Sequence, residues 1–243
     1  MVVNKDSKSV KKYSDIMIQR KHGAIDAKYY QHDVSSFHNK SVVLILHPDP
    51  IHGGSMNNKI VKVIGNAFIE LDFDVLRINF RGVGRSQGEY DKGVGEVDDA
   101  LDAIDWLLDK HDNLANVWVA GFGFGGLVCM KTVMRRPNIN GFIAISPPKE
   151  SENLNMLTPC PNGMFIVGEH DHTVDAEFVS SLPDLLSCQK NAFIDYKCIN
   201  GSDHYFSDHS EELYEELYTY VKDKMLLDIT VSTKKKNKKS SKL

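Results

Sequence analysis

The stretch Val117-Trp-Val-Ala-Gly-Phe-Gly-Phe-Gly125 decides the fold. Its four apolar residues, Val117 to Ala120, read as a strand buried on both faces. Gly121, Gly123 and Gly125 follow at once, and a helical pattern over Gly126 to Met134 begins without a linker and is stopped by Pro137. A strand driven through a tight Gly-rich turn into a helix is the setting of a nucleophile elbow, G-x-S-x-G, where strained backbone lifts a nucleophile above a parallel sheet. The central position here is Gly123, which has no side chain and cannot form a covalent intermediate.

The same alternation runs outward from the elbow. Short strands are expected at Ile16 to Gln19 and about Ala24 to Tyr30, then a fully buried one at Ser41 to Leu46. Ile60, Val61, Ile64, Ala67, Phe68 and Leu71 recur at helical spacing. Val75 to Phe80 reads as a strand, and Val97, Ala100, Leu101, Ile104, Leu107 and Leu108 as one helix face. Beyond the elbow come strands at Phe142 to Ile145, Met164 to Val167 and Ala192 to Ile199. A helix over Ala176 to Leu182 is expected to be interrupted by Pro183, and a last one is marked by Leu213, Leu217, Val221 and Met225. Buried strands alternating with amphipathic helices mean an α/β fold with a mostly parallel sheet covered on both faces. The connection from Ser146 to Gly163 is too short for a sizeable lid, so a site at the strand ends should be open.

In such sheets ligands bind beyond the carboxyl ends of the strands. The strand through Met164 to Val167 runs into Gly168-Glu-His-Asp171, where Asp171 occupies the place of a triad acid. The strand through Ala192 to Ile199 runs into Gly201-Ser-Asp-His204, where His204 occupies the place of a triad base. Elbow, acid and base in this chain order match α/β-hydrolases. A literal G-x-S-x-G occurs at Gly84-Arg-Ser-Gln-Gly88, but it lies in the long loop from Arg81 to Gly95 with no helix directly after it, so Ser86 fails the structural test. After Leu46, His47-Pro-Asp-Pro-Ile-His-Gly53-Gly54 could bring backbone N–H groups to a developing oxyanion. A plain strand-to-helix turn capped by Asn57 or Asn58 is the alternative.

Over about residues 16 to 226 the chain resembles the α/β-hydrolase superfamily, in particular its small lidless bacterial members of the dienelactone-hydrolase and serine-aminopeptidase-like groups. The likeness rests on His47-Pro48 with Gly53-Gly54, Asn79-Phe-Arg-Gly-Val-Gly-Arg-Ser86, Gly121 to Gly125, Asp171 and His204. It implies a sheet of about eight strands without a large lid, and hydrolysis of carboxylic esters, thioesters or amides. It implies Asp171 and His204 as triad members, Gly123 as the nucleophile site, and backbone donors at Gly53, Gly54 and Phe124 as the oxyanion hole. Gly123 is where the sequence departs from the pattern, which points to weak or absent serine-hydrolase activity.

Several chemistries stay open. His204 with Asp171 could activate water directly, or the old pocket could bind without turnover. Ser55, Ser146 and Cys129 are the other nucleophile candidates, and His170-Asp171-His172 is a metal candidate that the turn geometry disfavours. No metal or cofactor is expected.

Composition bounds the rest. With 42% hydrophobic and 26% charged residues among 243, a packed core is expected. No apolar run reaches the ~20 residues of a membrane helix and no signal peptide is evident, so a cytoplasmic location is expected. The four cysteines, Cys129, Cys160, Cys188 and Cys198, fit reduced thiols. The net charge is −4, yet Lys234 to Leu243 hold six lysines and no acid, which leaves −10 on the rest. An acidic body disfavours nucleic acid as the main partner, and a small ester- or amide-like molecule is the expected ligand. Residues 1–15 are expected to be a flexible polar end and 227–243 a basic unstructured tail. Ser241-Lys242-Leu243 also matches a peroxisomal address, which would matter in a eukaryote.

Overall fold

A computed structural model describes residues 12–21, 23–32, 40–111, 114–149, 160–187 and 192–240. Most of the expected N-terminal end, Cys188, much of the connection after Ser146, and Ser241-Lys242-Leu243 lie outside the described residues.

The elements alternate as the hydrophobic pattern requires. The strands are β1 (Ser14–Arg20), β2 (Gly23–Tyr30), β3 (Lys40–Leu46), β4 (Phe73–Ile78), β5 (Leu114–Phe122), β6 (Gly141–Ile145), β7 (Asn162–Gly168) and β8 (Ile194–Ile199). The helices are α1 (Lys59–Glu70), α2 (Gly95–Lys110), α3 (Phe124–Val133), α4 (Ala176–Ser187) and α5 (Ser210–Ser240). The strands form one eight-stranded sheet in the order β1-β2-β4-β3-β5-β6-β7-β8. Pairing is antiparallel for β1 with β2 and for β2 with β4, and parallel from β4 across to β8.

Parallel strands need both faces covered, and two apolar clusters supply that cover. On one face α2, α3 and α4 pack against residues such as Val42, Leu44, Val119 and Phe165. On the other, α1 and α5 bring Ile60, Ile64, Phe68, Leu213 and Leu217 against Val43, Ile45, Ala120 and Ile166. Burial on both sides explains the continuous apolar runs in β3 and β5, whose carboxyl ends meet at one edge of the core.

Among the boundaries that differ from the sequence reading, two have a clear local reason. β4 stops at Ile78, not Phe80, because the next two backbone N–H groups turn to other acceptors. Asn79 donates to the Asp26 carbonyl at 2.8 Å and Phe80 to His47 Nε2 at 3.0 Å. Helix α4 runs through Pro183 to Ser187 instead of ending before it. The proline removes one helical hydrogen bond, but Val179, Leu182 and Leu186 stay buried on the same face and hold the helix across it. Helix α5 extends to Ser240, past residue 226 and through the basic stretch expected to be unstructured.

Candidate active site

Phe122 ends β5, and the chain turns at Gly123 with φ 56° and ψ −122°, directly into α3. The Gly123 N–H donates to the Ile145 carbonyl of β6 at 2.8 Å, and its carbonyl accepts from Gly126 at 2.8 Å and Leu127 at 3.2 Å. The three glycines of the turn are glycines for different reasons. A Cβ on Gly121 would stand 2.1 Å from the Gly125 carbonyl oxygen, and one on Gly125 would stand 2.4 Å from the Leu46 carbonyl oxygen. Neither can carry a side chain. A Cβ on Gly123 would meet nothing nearer than Pro48 Cβ at 3.6 Å, an ordinary contact. Position 123 therefore has room for a side chain, and only its left-handed φ would strain one.

Position 123 and His204 line the same cavity, of about 1250 Å³. The His204 ring lies 5.0 Å, centroid to centroid, from Phe122 and 4.9 Å from Tyr205. These rings and one hydrogen bond set its orientation. His204 Nδ1 is 2.8 Å from Asp171 Oδ2, while Asp171 Oδ1 accepts from Thr173 N at 2.9 Å and Val174 N at 2.8 Å. Burial pushes the Asp171 carboxyl up, but the bonds from His204 and Val174 outweigh it and hold it below the usual carboxylate range. An anionic Asp171 fixes the proton on Nδ1 and leaves Nε2 as the acceptor. Among the described residues no hydroxyl or thiol hydrogen-bonds to this ring.

The alternative nucleophiles are placed elsewhere or tied up. Ser86 is buried at the opposite end of a polar clamp. Its Oγ donates to the Asn79 carbonyl at 2.7 Å and accepts from Asp26 N at 2.9 Å. The same clamp holds Arg85 on Asp26 and Asn79 on Asp26 and Met56 N, so the Asn79-to-Ser86 segment fastens a loop to β2. Cys129 is fully buried in α3, its thiol pushed far up by burial and facing the Val119 carbonyl. Ser55 lies outside the cavity lining. Ser146 does line it, at φ 43° just past β6. Its buried hydroxyl forms no well-aligned hydrogen bond, yet lies close enough to Asp171 to help lower that carboxyl. His170 and His172 are exposed, and no cluster of metal-ligating side chains occurs among the described residues.

The loop after β3 departs most from the sequence expectation. Gly53 donates its N–H to Pro50 O at 3.0 Å and Gly54 to Asp49 O at 2.9 Å. Both expected oxyanion donors are thus spent inside the turn. The glycines serve the turn itself: Gly53 takes φ 76°, and a Cβ on Gly54 would stand 2.0 Å from Pro48 O. His52 N also bonds Asp49 O, Ile51 N bonds Asp49 Oδ1, and Pro50 has no N–H. Among the described residues nothing accepts from the Asp49 N–H, the one left over between residues 49 and 54, beside the Pro48 that a side chain at position 123 would meet. Asn58 caps α1 through Ile60 N at 2.8 Å, so that part of the plain-turn reading holds. At the elbow, Phe124 opens α3, where the first N–H groups have no helical acceptor.

His47 anchors this loop. It is fully buried, accepts from Phe80 N through Nε2, and so donates from Nδ1 to Pro48 O at 2.6 Å. Burial, outweighing its bond to Pro48, lowers its pKa to about 4 and keeps the ring neutral. The free Asp49 N–H could not be singled out on the sequence, because a backbone donor is free or spent only once the turn is folded.

Comparison with known proteins agrees with this architecture. The chain is 42% identical over 204 residues, 82% of its length and 84% of the relative's, to an uncharacterized protein of Rickettsia prowazekii. It is similar to an α/β hydrolase of unknown function from Agrobacterium tumefaciens, with TM-score 0.80 and 35% identity over 87% of this chain and 96% of that one. It is also similar to a lidless α/β serine hydrolase from Xanthomonas campestris, with TM-score 0.78 and 25% identity over 90% and 97% of the two chains. Residues 38–184 match the family model described as serine aminopeptidase, S33, and the chain therefore belongs to that family of α/β hydrolases.

Proposed function

We propose that this chain binds carboxylic esters, thioesters or amides in its strand-end cavity and lacks the covalent step of a serine hydrolase. One observation carries the reading: His204, bonded to Asp171 at 2.8 Å, lines the same cavity as Gly123, which has room for a side chain and carries none. In a serine hydrolase the hydroxyl at this point attacks the carbonyl carbon, the histidine takes its proton, and backbone N–H groups hold the resulting oxyanion. Here the acid, base and donors remain. Phe124 N–H and Asp49 N–H are the donors we assign to the carbonyl oxygen, in place of Gly53 and Gly54. Without the nucleophile, binding and oxyanion stabilisation alone sustain only about 10³–10⁴-fold acceleration over water.

A second reading is favoured by the ring itself. Asp171 occupies Nδ1, so Nε2 is the nitrogen left to take a proton from water attacking a bound ester directly. This route forms no acyl-enzyme and shows no burst.

Short-chain aryl-ester turnover tests both readings. The unaltered chain should show slow or no hydrolysis, and Gly123→Ser should gain activity that depends on His204. Slow, burst-free turnover abolished by His204→Ala supports the water route, whereas binding without turnover supports a non-enzymatic role. Rapid hydrolysis by the unaltered chain with an acyl-enzyme burst overturns both.

A further inference from the structure

The cavity is lined by four basic side chains, Lys92, Lys131, Arg135 and Lys149, against one carboxylate, Asp49. That balance is opposite in sign to residues 1–233 as a whole, which carry −10 with the cavity included. Asp49 is already engaged, accepting from Ile51 N and bonding His52.

Lys131 is the informative member. It lies on α3, eight residues beyond Gly123, so its backbone sits about 12 Å along the helix axis from the elbow. Its Nζ is half-buried beside Gly93, donating to the Gly93 carbonyl at 3.3 Å. Among the described residues no carboxylate pairs with it within 4 Å. The nearest acid by charge, Glu96, is fully buried and consumed by another task. Its Oε1 accepts from Asp91 N and its Oε2 from Gly93 N, each at 2.7 Å. This clamp fixes the loop that presents Lys92 to the cavity. Arg135 adds a second cation, held only loosely by Asp98 at 3.6 Å. Burial and the neighbouring Arg135 both disfavour the Lys131 charge, a cost that an incoming anion would relieve.

We propose that the Lys92–Lys131–Arg135–Lys149 wall binds an anionic end of the ligand, so that the preferred class is an acyl ester, thioester or amide carrying a carboxylate or phosphate within about 12 Å of its carbonyl. This rests on the ester-type reading of the cavity, with the carbonyl at position 123 and the anion farther along α3.

Non-hydrolysable probes test it on the unaltered chain by calorimetry. Three are needed: the mono-N-methylamide of decanedioate, its phosphate-terminated counterpart, and the neutral bis-N-methylamide. At least one anionic probe should bind about tenfold tighter than the neutral one, and that advantage should shrink as salt is raised. Whichever anion gains more identifies the head group. In Lys131→Gln/Arg135→Gln the advantage should fall to about twofold or less while the neutral probe binds as before. A distant control, Lys62→Gln, should change nothing, and an unchanged circular dichroism spectrum verifies the fold of each variant. Equal affinity for charged and neutral probes overturns the proposal. So does a charge preference that survives the double substitution, which would place the anion on the backbone donors near the elbow. These readouts need no turnover, so they stand apart from the gain of activity expected in Gly123→Ser.

Discussion

The chain contains two G-x-x-x-G turns that split the features of a serine-hydrolase elbow between them. Gly84-Arg-Ser-Gln-Gly88 has the serine and none of the setting, and Gly121-Phe-Gly-Phe-Gly125 has the setting and no serine. Ser86 is buried, with both its donor and acceptor capacity used on Asn79 and Asp26. Position 123 stands at the end of β5 on left-handed backbone, in the cavity that holds His204. The pair teaches that backbone context decides what a motif can do: a hydroxyl outside that context is a structural bolt.

The comparison can be broken at several points. The largest effect is expected from Gly125→Ala. Its Cβ would press on the Leu46 and His47 carbonyl oxygens at 2.4 and 2.5 Å, which are backbone atoms. A loss of more than about 4 kcal/mol in chemical denaturation is expected, because nothing near it can move cheaply. A mild loss would mean the turn is looser than described.

Next comes the pH dependence set by His47. Its folded pKa of about 4 lies below the ordinary 6.5, so the unfolded chain binds the extra proton between those values. Stability from this group is fully present above about pH 6.5 and falls as the pH drops towards 4, by up to about 3 kcal/mol. Thermal unfolding from pH 8 to 4 should show this slope, and His47→Gln should flatten it. A slope unchanged in that variant would assign the effect to other groups. Asp171, whose pKa is lowered below the carboxylate range, acts in a more acidic window and is lost only below it.

Ser86→Ala should cost about 2 kcal/mol, because the Asp26 N–H is left buried without its acceptor. In a Gly123→Ser background the same change should leave ester turnover per folded molecule intact. A collapse of turnover there would return Ser86 to the chemistry. The smallest effect belongs to Gly123→Ala, about 1 kcal/mol, from placing a Cβ at φ 56° with open space around it.

Much of this was readable from residue order alone. The runs at Val42 to Leu46 and Val117 to Ala120 were continuous and apolar because both faces of the sheet are covered. Asp171 and His204 could be paired on the sequence because each directly follows a strand and chain order constrains where strand ends meet, and their side chains do hydrogen-bond. Gly53 and Gly54 misled, because sequence does not tell a glycine that exposes an N–H from one that lets a turn close on itself. Pro183 misled because burial of Leu182 and Leu186 outweighs a single lost hydrogen bond. The cationic wall escaped notice since Lys92 and Lys131 are far apart in sequence and the overall charge is negative.

Everything proposed for this site depends on whether the elbow offers a nucleophile. Treatment with a serine-directed organophosphonate, followed by intact-mass and peptide mass spectrometry, reads that directly. No adduct is expected on the unaltered chain, and a single adduct at position 123 is expected in Gly123→Ser. A stoichiometric adduct on the unaltered chain, at Ser146, Ser55 or any other residue, would contradict this expectation.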